Sequence, residues 1–374
     1  MQKKMVKRTA QNAQDKSKFA IHPNVERYFL VPVLIFLIIV VAGAIVISLV
    51  SYTDKAKDAG KLPTCGDGSF YNTCSLIEPY YCTEGILIEK ASVCGCKEGY
   101  LKQGDICLST FHLSQKEITL IYVLDGKTKY VSYQIYGGLD KFLQNKSRDI
   151  SYNDGEKAFR VDFKLEKINE PNQRDLMLPL VVKIQNLARD KETQVRIAVS
   201  LVQNIPYGAS DKEINLTDDF SVRYSRYPYE VLSNLEGVCG EKSELLAFLL
   251  KELGYGVSLF YFHEENHEAV GISCPTRYSF NNTGYCFVET SGPAIITDNE
   301  IEYAGGIKLR SSPELMLINN GISLSNDMAE YDDADAFKKI RVKLAEGDWL
   351  TEKEKKTLEE IDKKYGLVDV YRIE

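Results

Sequence analysis

The sequence predicts an α+β fold, because one long amphipathic helix is followed by several short strand-like segments. In residues 243–253 leucines recur at helical spacing, and Gly254 stands where a helix C-cap is expected. Beyond it, residues 257–262, 267–273 and 285–290 have the length and composition of antiparallel strands. A helix packed on an antiparallel sheet defines the α+β class.

The N-terminal part of the chain predicts a membrane anchor. The 22-residue run 29–50 carries no charge, and a bilayer core needs about 20 helical residues. Lysine and arginine outnumber acids before this run, so we expect a basic cytoplasmic tail at 1–27 and a transmembrane helix at 28–51. The protein would then be a single-pass cell-membrane protein with its C-terminal domains outside the cytoplasm. A cleaved signal peptide is the alternative, but its apolar region usually has only about 7–15 residues.

The length and the net charge of the chain limit the number of domains and the kinds of partner to be expected. The 374 residues carry a formal net charge of −7, which gives no reason to expect nucleic acid as a partner. The chain is long enough for two or three domains. We expect a cysteine-rich module at 63–109, an α+β domain at 110–325 and a helical hairpin at 326–374. In the hairpin, Thr351 and Glu354 form a capping-box pattern.

The nine cysteines all follow the apolar run, and eight of them are candidates for disulfide bonds. Six are concentrated in the module, as in a disulfide framework of an oxidising compartment, and two more flank a turn-like segment. The eight candidates are Cys65, Cys74, Cys82, Cys94, Cys96, Cys107, Cys274 and Cys286. Zinc is the alternative for the six, although paired CxxC motifs are missing. Cys239 is left over, as a free thiol or a buried unpaired cysteine.

Between the module and Cys239 the sequence predicts both strands and helices. A β-hairpin is predicted around Asp125-Gly126, with strands at 118–123 and 130–136. Alternating apolar residues at 160–165 favour a strand. Further elements complete this part: helices at 176–187 and 193–203, a tyrosine-rich loop at 208–227 and a short helix at 228–234.

Three residues have the chemistry of a nucleophilic thiol site. Cys239 lies between small residues at a helix start, where free N–H groups and the helix dipole stabilise a thiolate. A thiol nucleophile needs a base, and the base needs an orienting acid. His267 opens one predicted strand, and Glu289 ends the next. We expect these strands to pair with His267 opposite Glu289, so that the carboxylate holds the imidazole.

These segments resemble the transglutaminase-like superfamily, which shares the papain-like arrangement. The resemblance rests on Gly237-Val-Cys239-Gly-Glu241, then Asn266-His267-Glu-Ala-Val270, then Glu289-Thr290, and covers roughly residues 190–300. It implies that Cys239 is the nucleophile, His267 the general base and Glu289 the orienting acid, where the family usually has aspartate. It also implies an oxyanion donor at Gln203, with a solvated helix-end glutamine as the alternative.

The second half of the module resembles an EGF-like or trypsin-inhibitor-like module. The residues are Cys94-Gly-Cys96-Lys-Glu-Gly99-Tyr100 and Cys107. If the module is EGF-like, its cysteines pair first to third, second to fourth and fifth to sixth. The spacing alone allows all fifteen connectivities.

Together these features predict an anchored extracytoplasmic enzyme that transfers acyl groups through a Cys-His-Glu triad. Its substrate would be a protein or peptide outside the cell, and hydrolysis is the first expectation. We expect neither a cofactor nor a metal site. The alternative is an inactive binding or structural module on the same fold.

Overall fold

The computed structural model describes residues 40, 63–146, 159–217, 220–300, 302–303 and 307–367. The chain divides into two units, at 1–62 and 63–374. The predicted basic tail and transmembrane helix lie outside the described residues, apart from helical Val40. Within the described ranges, no helix is both long and apolar enough to cross a membrane.

The second unit begins with the cysteine-rich module. It contains two small antiparallel hairpins and one short helix, with these bounds: β1 Tyr80–Thr83, β2 Ile86–Glu89, α1 Ala91–Cys94, β3 Leu101–Gln103 and β4 Ile106–Leu108. Three disulfide bonds join Cys65 to Cys82, Cys74 to Cys94 and Cys96 to Cys107. This is the order that the EGF-like resemblance implies.

A long hairpin and a group of helices follow the module. The hairpin turns at Asp125 and Gly126, which both have the positive φ that a two-residue hairpin turn requires. The bounds are β5 Gln115–Leu124, β6 Lys127–Tyr136, α2 Gly137–Asn145, α3 Arg160–Ile168, α4 Pro171–Leu187, α5 Lys191–Gln203, β7 Glu213–Thr217, β8 Phe220–Arg223 and α6 Pro228–Asn234.

Two of these elements differ from the sequence prediction. The segment 160–165 is part of helix α3 rather than a strand. Val161 and Ile168, seven residues apart and so on one helix face, pack in the main core, whereas Phe163 is exposed. The predicted loop at 208–227 contains the short strand pair β7–β8.

The central helix and the main sheet form the rest of the core. Helix α7, Cys239–Glu252, is buried all round from Glu241 to Leu250, not on one face only as its leucine pattern predicts. It packs on a four-stranded antiparallel sheet of order β11-β10-β9-β14. The strands are β9 Val257–Phe262, β10 His267–Ser273, β11 Tyr285–Val288 and β14 Glu314–Asn319, and a small pair consists of β12 Glu302–Tyr303 and β13 Ile307–Lys308.

The chain ends in a helical hairpin, α8 Ala329–Ala345 and α9 Glu352–Tyr365. Phe337 of α8 and Ile361 of α9 share one apolar cluster with Ile295, so the hairpin packs against the segment that follows β11. The predicted capping box forms: Thr351 Oγ1 accepts from Glu354 N, and the Glu354 carboxylate accepts from Thr351 N.

Candidate active site

Cys239 is the first residue of α7, and its thiol is partly exposed and free of a disulfide bond. All nine cysteines lie in the described ranges, and the other eight are paired; the fourth bond joins Cys274 to Cys286. Gly237 N donates to Pro206 O, which fixes the approach to the helix. A Cβ at Gly237 would meet Lys242 Cγ at 3.1 Å and Val231 Cγ1 at 3.2 Å, so a larger residue requires a small shift of these side chains.

The His267 ring joins Cys239 to Glu289. Its Nε2 lies 2.9 Å from Glu289 Oε2, and the ring also hydrogen-bonds the Cys239 side chain. Because Nε2 is bound to the carboxylate, Nδ1 is the ring nitrogen left for the thiol. Burial lowers the pKa of His267, but the hydrogen bonds and charges of Cys239 and Glu289 outweigh it and raise the pKa to about 10.

The strand register differs from the expected one by two residues. Val270 is opposite Val288, so the position directly opposite Glu289 is Ala269, not His267. His267 and Glu289 are therefore diagonal neighbours, a spacing that long side chains still bridge. In this register Cys274 is a diagonal neighbour of Cys286, which allows their disulfide bond at the hairpin tip.

Backbone and hydroxyl contacts hold the acid in place. Glu289 Oε1 accepts from Ser291 N at 2.7 Å. Although burial raises the pKa of Glu289, the hydrogen bond and charge of His267 and the Ser291 contacts lower it below its usual range. Thr290 Oγ1 lies 2.9 Å from Ser243 Oγ and donates to Cys239 O at 3.3 Å. These contacts tie the end of β11 to the nucleophile helix.

The acidic residues at the start of α7 are paired away from the thiol. Glu241 accepts from Arg226 Nη1 at 3.1 Å and from Val238 N. Glu244 pairs with Lys164 and Lys167 on α3. Since both carboxylates have cationic partners, the helix start keeps its preference for a negative charge at Cys239.

Gln203 has a different role from the expected oxyanion donor. Its side-chain nitrogen donates to Glu289 O at 2.9 Å and to Ala294 O at 3.1 Å. An amide nitrogen has two hydrogens, so both are used and neither is left for a substrate oxyanion. Gln203 instead holds the backbone around the acid.

Lys242 is a site residue that the sequence analysis missed. Its fully buried ammonium donates to Gln203 O, Ile205 O and Ser291 O, at 3.3, 2.5 and 3.1 Å. Burial lowers its pKa to about 8, partly offset by the charges of Glu289 and Cys239. The lysine thus connects the end of α5 to the loop that carries the acid. Its place three residues after Cys239 was the only available signal in the sequence.

No cluster of three or more histidine, cysteine, aspartate or glutamate side chains in the described ranges could hold a metal ion. No family model matches the sequence, and no curated protein matches it. Among solved structures, calcium-bound LapG of Legionella pneumophila is similar, with 14% identity and a TM-score of 0.24 over 48% of this chain and 99% of that chain.

The raised pKa of His267 predicts an alkaline limb near pH 10 in the pH profile of kcat/KM. Below that pH the imidazolium is present and can protonate a leaving amine, and above it this proton is lost. We expect kcat/KM on a peptide substrate to stay level from neutral pH to about 9 and then to fall. A decline centred near the ordinary histidine value of about 6.5 would contradict the prediction.

The buried ion network predicts a large stability effect at Lys164. Its Nζ lies 2.7 Å from Glu244 Oε1 and 2.9 Å from Glu268 Oε1, and both acids are almost fully buried. We expect Lys164→Met to lower the free energy of unfolding by about 3–5 kcal/mol, because two buried carboxylates lose a partner. The measurement is urea unfolding at pH 7.

The matched control for this effect is Lys339→Met. Lys339 pairs with Asp335 on the exposed face of α8, where an ion pair contributes at most about 1 kcal/mol. Equal losses of stability in the two variants would show that the buried network does not contribute as argued.

Proposed function

We propose that this protein is an enzyme that transfers acyl groups through a cysteine nucleophile. The support is one continuous chain of contacts from the free thiol of Cys239 through the His267 ring to the buried Glu289 carboxylate. A nucleophile, a base and an orienting acid in this order are the requirements of thiol catalysis. Within this class we propose a peptidase or amidase.

In the proposed reaction, Cys239 Sγ attacks the carbonyl carbon of an amide. The imidazolium of His267 gives its proton to the leaving nitrogen, the C–N bond breaks, and an acyl-thioester remains on Sγ. Water then attacks the thioester while His267 takes its proton, and the thiolate leaves. We propose that N–H groups at the start of α7 stabilise the oxyanion in both steps, because the first N–H groups of a helix lack intrahelical partners.

We propose that the substrate is a protein or peptide outside the cell. Four disulfide bonds support an oxidising compartment, in agreement with the orientation expected from residues 1–51. Hydrolysis is favoured over transfer to an amine, since water is always available and the proposal then needs no second substrate.

The test is a peptide-library digest with the purified protein in H₂¹⁸O, read by mass spectrometry. Hydrolysis of a peptide bond predicts cleaved products with one ¹⁸O in each new carboxyl group. Deamidation of glutamine predicts the same label without chain cleavage and still fits the amidase class. No turnover of any peptide, with the thiol intact, would instead favour a binding module that keeps the fold.

A further inference from the structure

A cavity lies between the cysteine-rich module and the following domain. It has a volume of about 680 Å³, within the range of small-ligand sites. The module contributes side chains from β1, β2, β4 and the loop at 96–100, and the domain contributes β6 and the stretch of α4 from Asp175 to Asn186. The cavity therefore exists only when the module and the domain are together.

The cavity is remote from the thiol. Asp175 lines it, and the neighbouring Arg174 pairs with Glu252 at the last residue of α7. Cys239 is the first residue of the same helix. At 1.5 Å per residue the two ends are about 20 Å apart, so the cavity is a separate site.

Hydrogen bonds at the edge of the cavity and beyond it hold the module in place. The Asn186 side chain accepts from Leu87 N and donates to Leu87 O, and Gln194 donates to Gly66 O at 3.0 Å. The three disulfide bonds of the module fix its own loops. The cavity is thus preformed, which lowers the cost of ordering a ligand in it.

Its walls are rich in aromatic rings with polar edges. Tyr80, Tyr100, Tyr133 and Tyr136 line it, together with His112. The His112 ring packs 4.6 Å from the Tyr136 ring and 6.1 Å from the Tyr100 ring. Burial lowers the pKa of His112, so the imidazole is neutral at pH 7. Tyr80 and Tyr133 are buried, so Tyr100 and Tyr136 are the tyrosines that present aromatic surface beside hydrogen-bonding groups.

The charges that line the cavity are nearly balanced. Lys97 pairs with Asp175 at 2.7 Å, and the charge of Lys183 acts on Glu89. Glu78 is the remaining acid. A strongly cationic or anionic ligand would have to compete with these internal pairs, whereas a neutral ligand can hydrogen-bond to their free lone pairs and N–H groups.

We propose that this cavity binds a short, uncharged oligosaccharide. A sugar ring combines an apolar face, which packs on tyrosine or histidine rings, with a rim of hydroxyl groups, which pair with carboxylate, ammonium and phenol groups. The cavity supplies both kinds of group around a volume large enough for a short chain of sugars. This site is independent of the thiol chemistry.

The test is binding of neutral oligosaccharides to the full chain, first on a glycan array and then by calorimetry with chitotriose, cellotriose, maltotriose and mannotriose. We expect binding that Tyr100→Leu and Glu89→Gln each weaken at least about tenfold. Tyr130→Leu is the matched control, because Tyr130 is exposed on β6 outside the cavity. Cys239→Ala should bind as the wild type does.

Thermal melting of each variant shows whether it is folded. If Tyr100→Leu does not fold, Glu89→Gln still tests the cavity, because the two side chains at position 89 are nearly isosteric. Absence of binding to every neutral glycan would overturn the proposal. Glycan binding that neither Tyr100→Leu nor Glu89→Gln weakens would also overturn it. So would binding of peptides in this cavity without binding of any glycan.

Discussion

Replacing Cys239 with alanine is expected to lower kcat/KM by about 10⁵–10⁶-fold. The substitution removes the only unpaired sulfur among the nine cysteines, which is also the atom that hydrogen-bonds His267. Loss of a nucleophile from a comparable triad has an effect of this size. The assay is peptide hydrolysis with product detection by mass spectrometry.

The fold should survive this change. The thiol is partly exposed, so little packing is lost, and the melting temperature of Cys239→Ala should stay close to that of the wild type. Wild-type rates in Cys239→Ala would exclude this thiol as the nucleophile.

Replacing Glu289 with glutamine is expected to lower kcat by about 10³–10⁴-fold. The two side chains have nearly the same shape, but the amide carries no negative charge to stabilise the imidazolium, and its NH₂ group can face the ring and favour the other histidine tautomer. Since Glu289 is buried and bound to His267 Nε2 at 2.9 Å, no water can easily take its place. Steady-state kinetics at pH 7 measure the effect.

Two further variants define the role of this acid. Glu289→Asp keeps the charge but shortens the diagonal reach to His267, so an intermediate loss of about 10–100-fold is expected. Glu264→Gln is the control, because Glu264 is exposed on the turn before β10, and its activity should stay within about twofold. Equal activities of Glu289→Gln and Glu264→Gln would contradict a triad.

Local patterns predicted much of the secondary structure. Asp125-Gly126 between alternating strands, and Thr351 with Glu354 before a helix, are short-range signals that the structure reproduces. The same reasoning failed at 160–165, where alternating apolar residues belong to a helix. Strict alternation is the signature of a strand, but Val161 and Leu165 are also four residues apart, which suits a helix, and the packing of α3 on α7 decides between the two.

The site was predictable in its residue types but not in its supporting contacts. Cysteine at a helix start, with histidine and an acid in later strands, is visible in one sequence. A single sequence does not show the two-residue register shift. Nor does it show the roles of Gln203 and Lys242, because these depend on backbone carbonyls brought together from distant segments. Likewise, nothing in the sequence shows that Lys164 neutralises Glu244 and Glu268.

The central claim is that His267, held by Glu289, activates the Cys239 thiol. The most direct test is the rate of Cys239 alkylation by iodoacetamide at pH 7, followed by intact mass in the wild type and in His267→Gln. We predict that the wild type reacts at least about tenfold faster than both the variant and free glutathione. Equal rates in the two proteins, at the level of glutathione, would contradict the account.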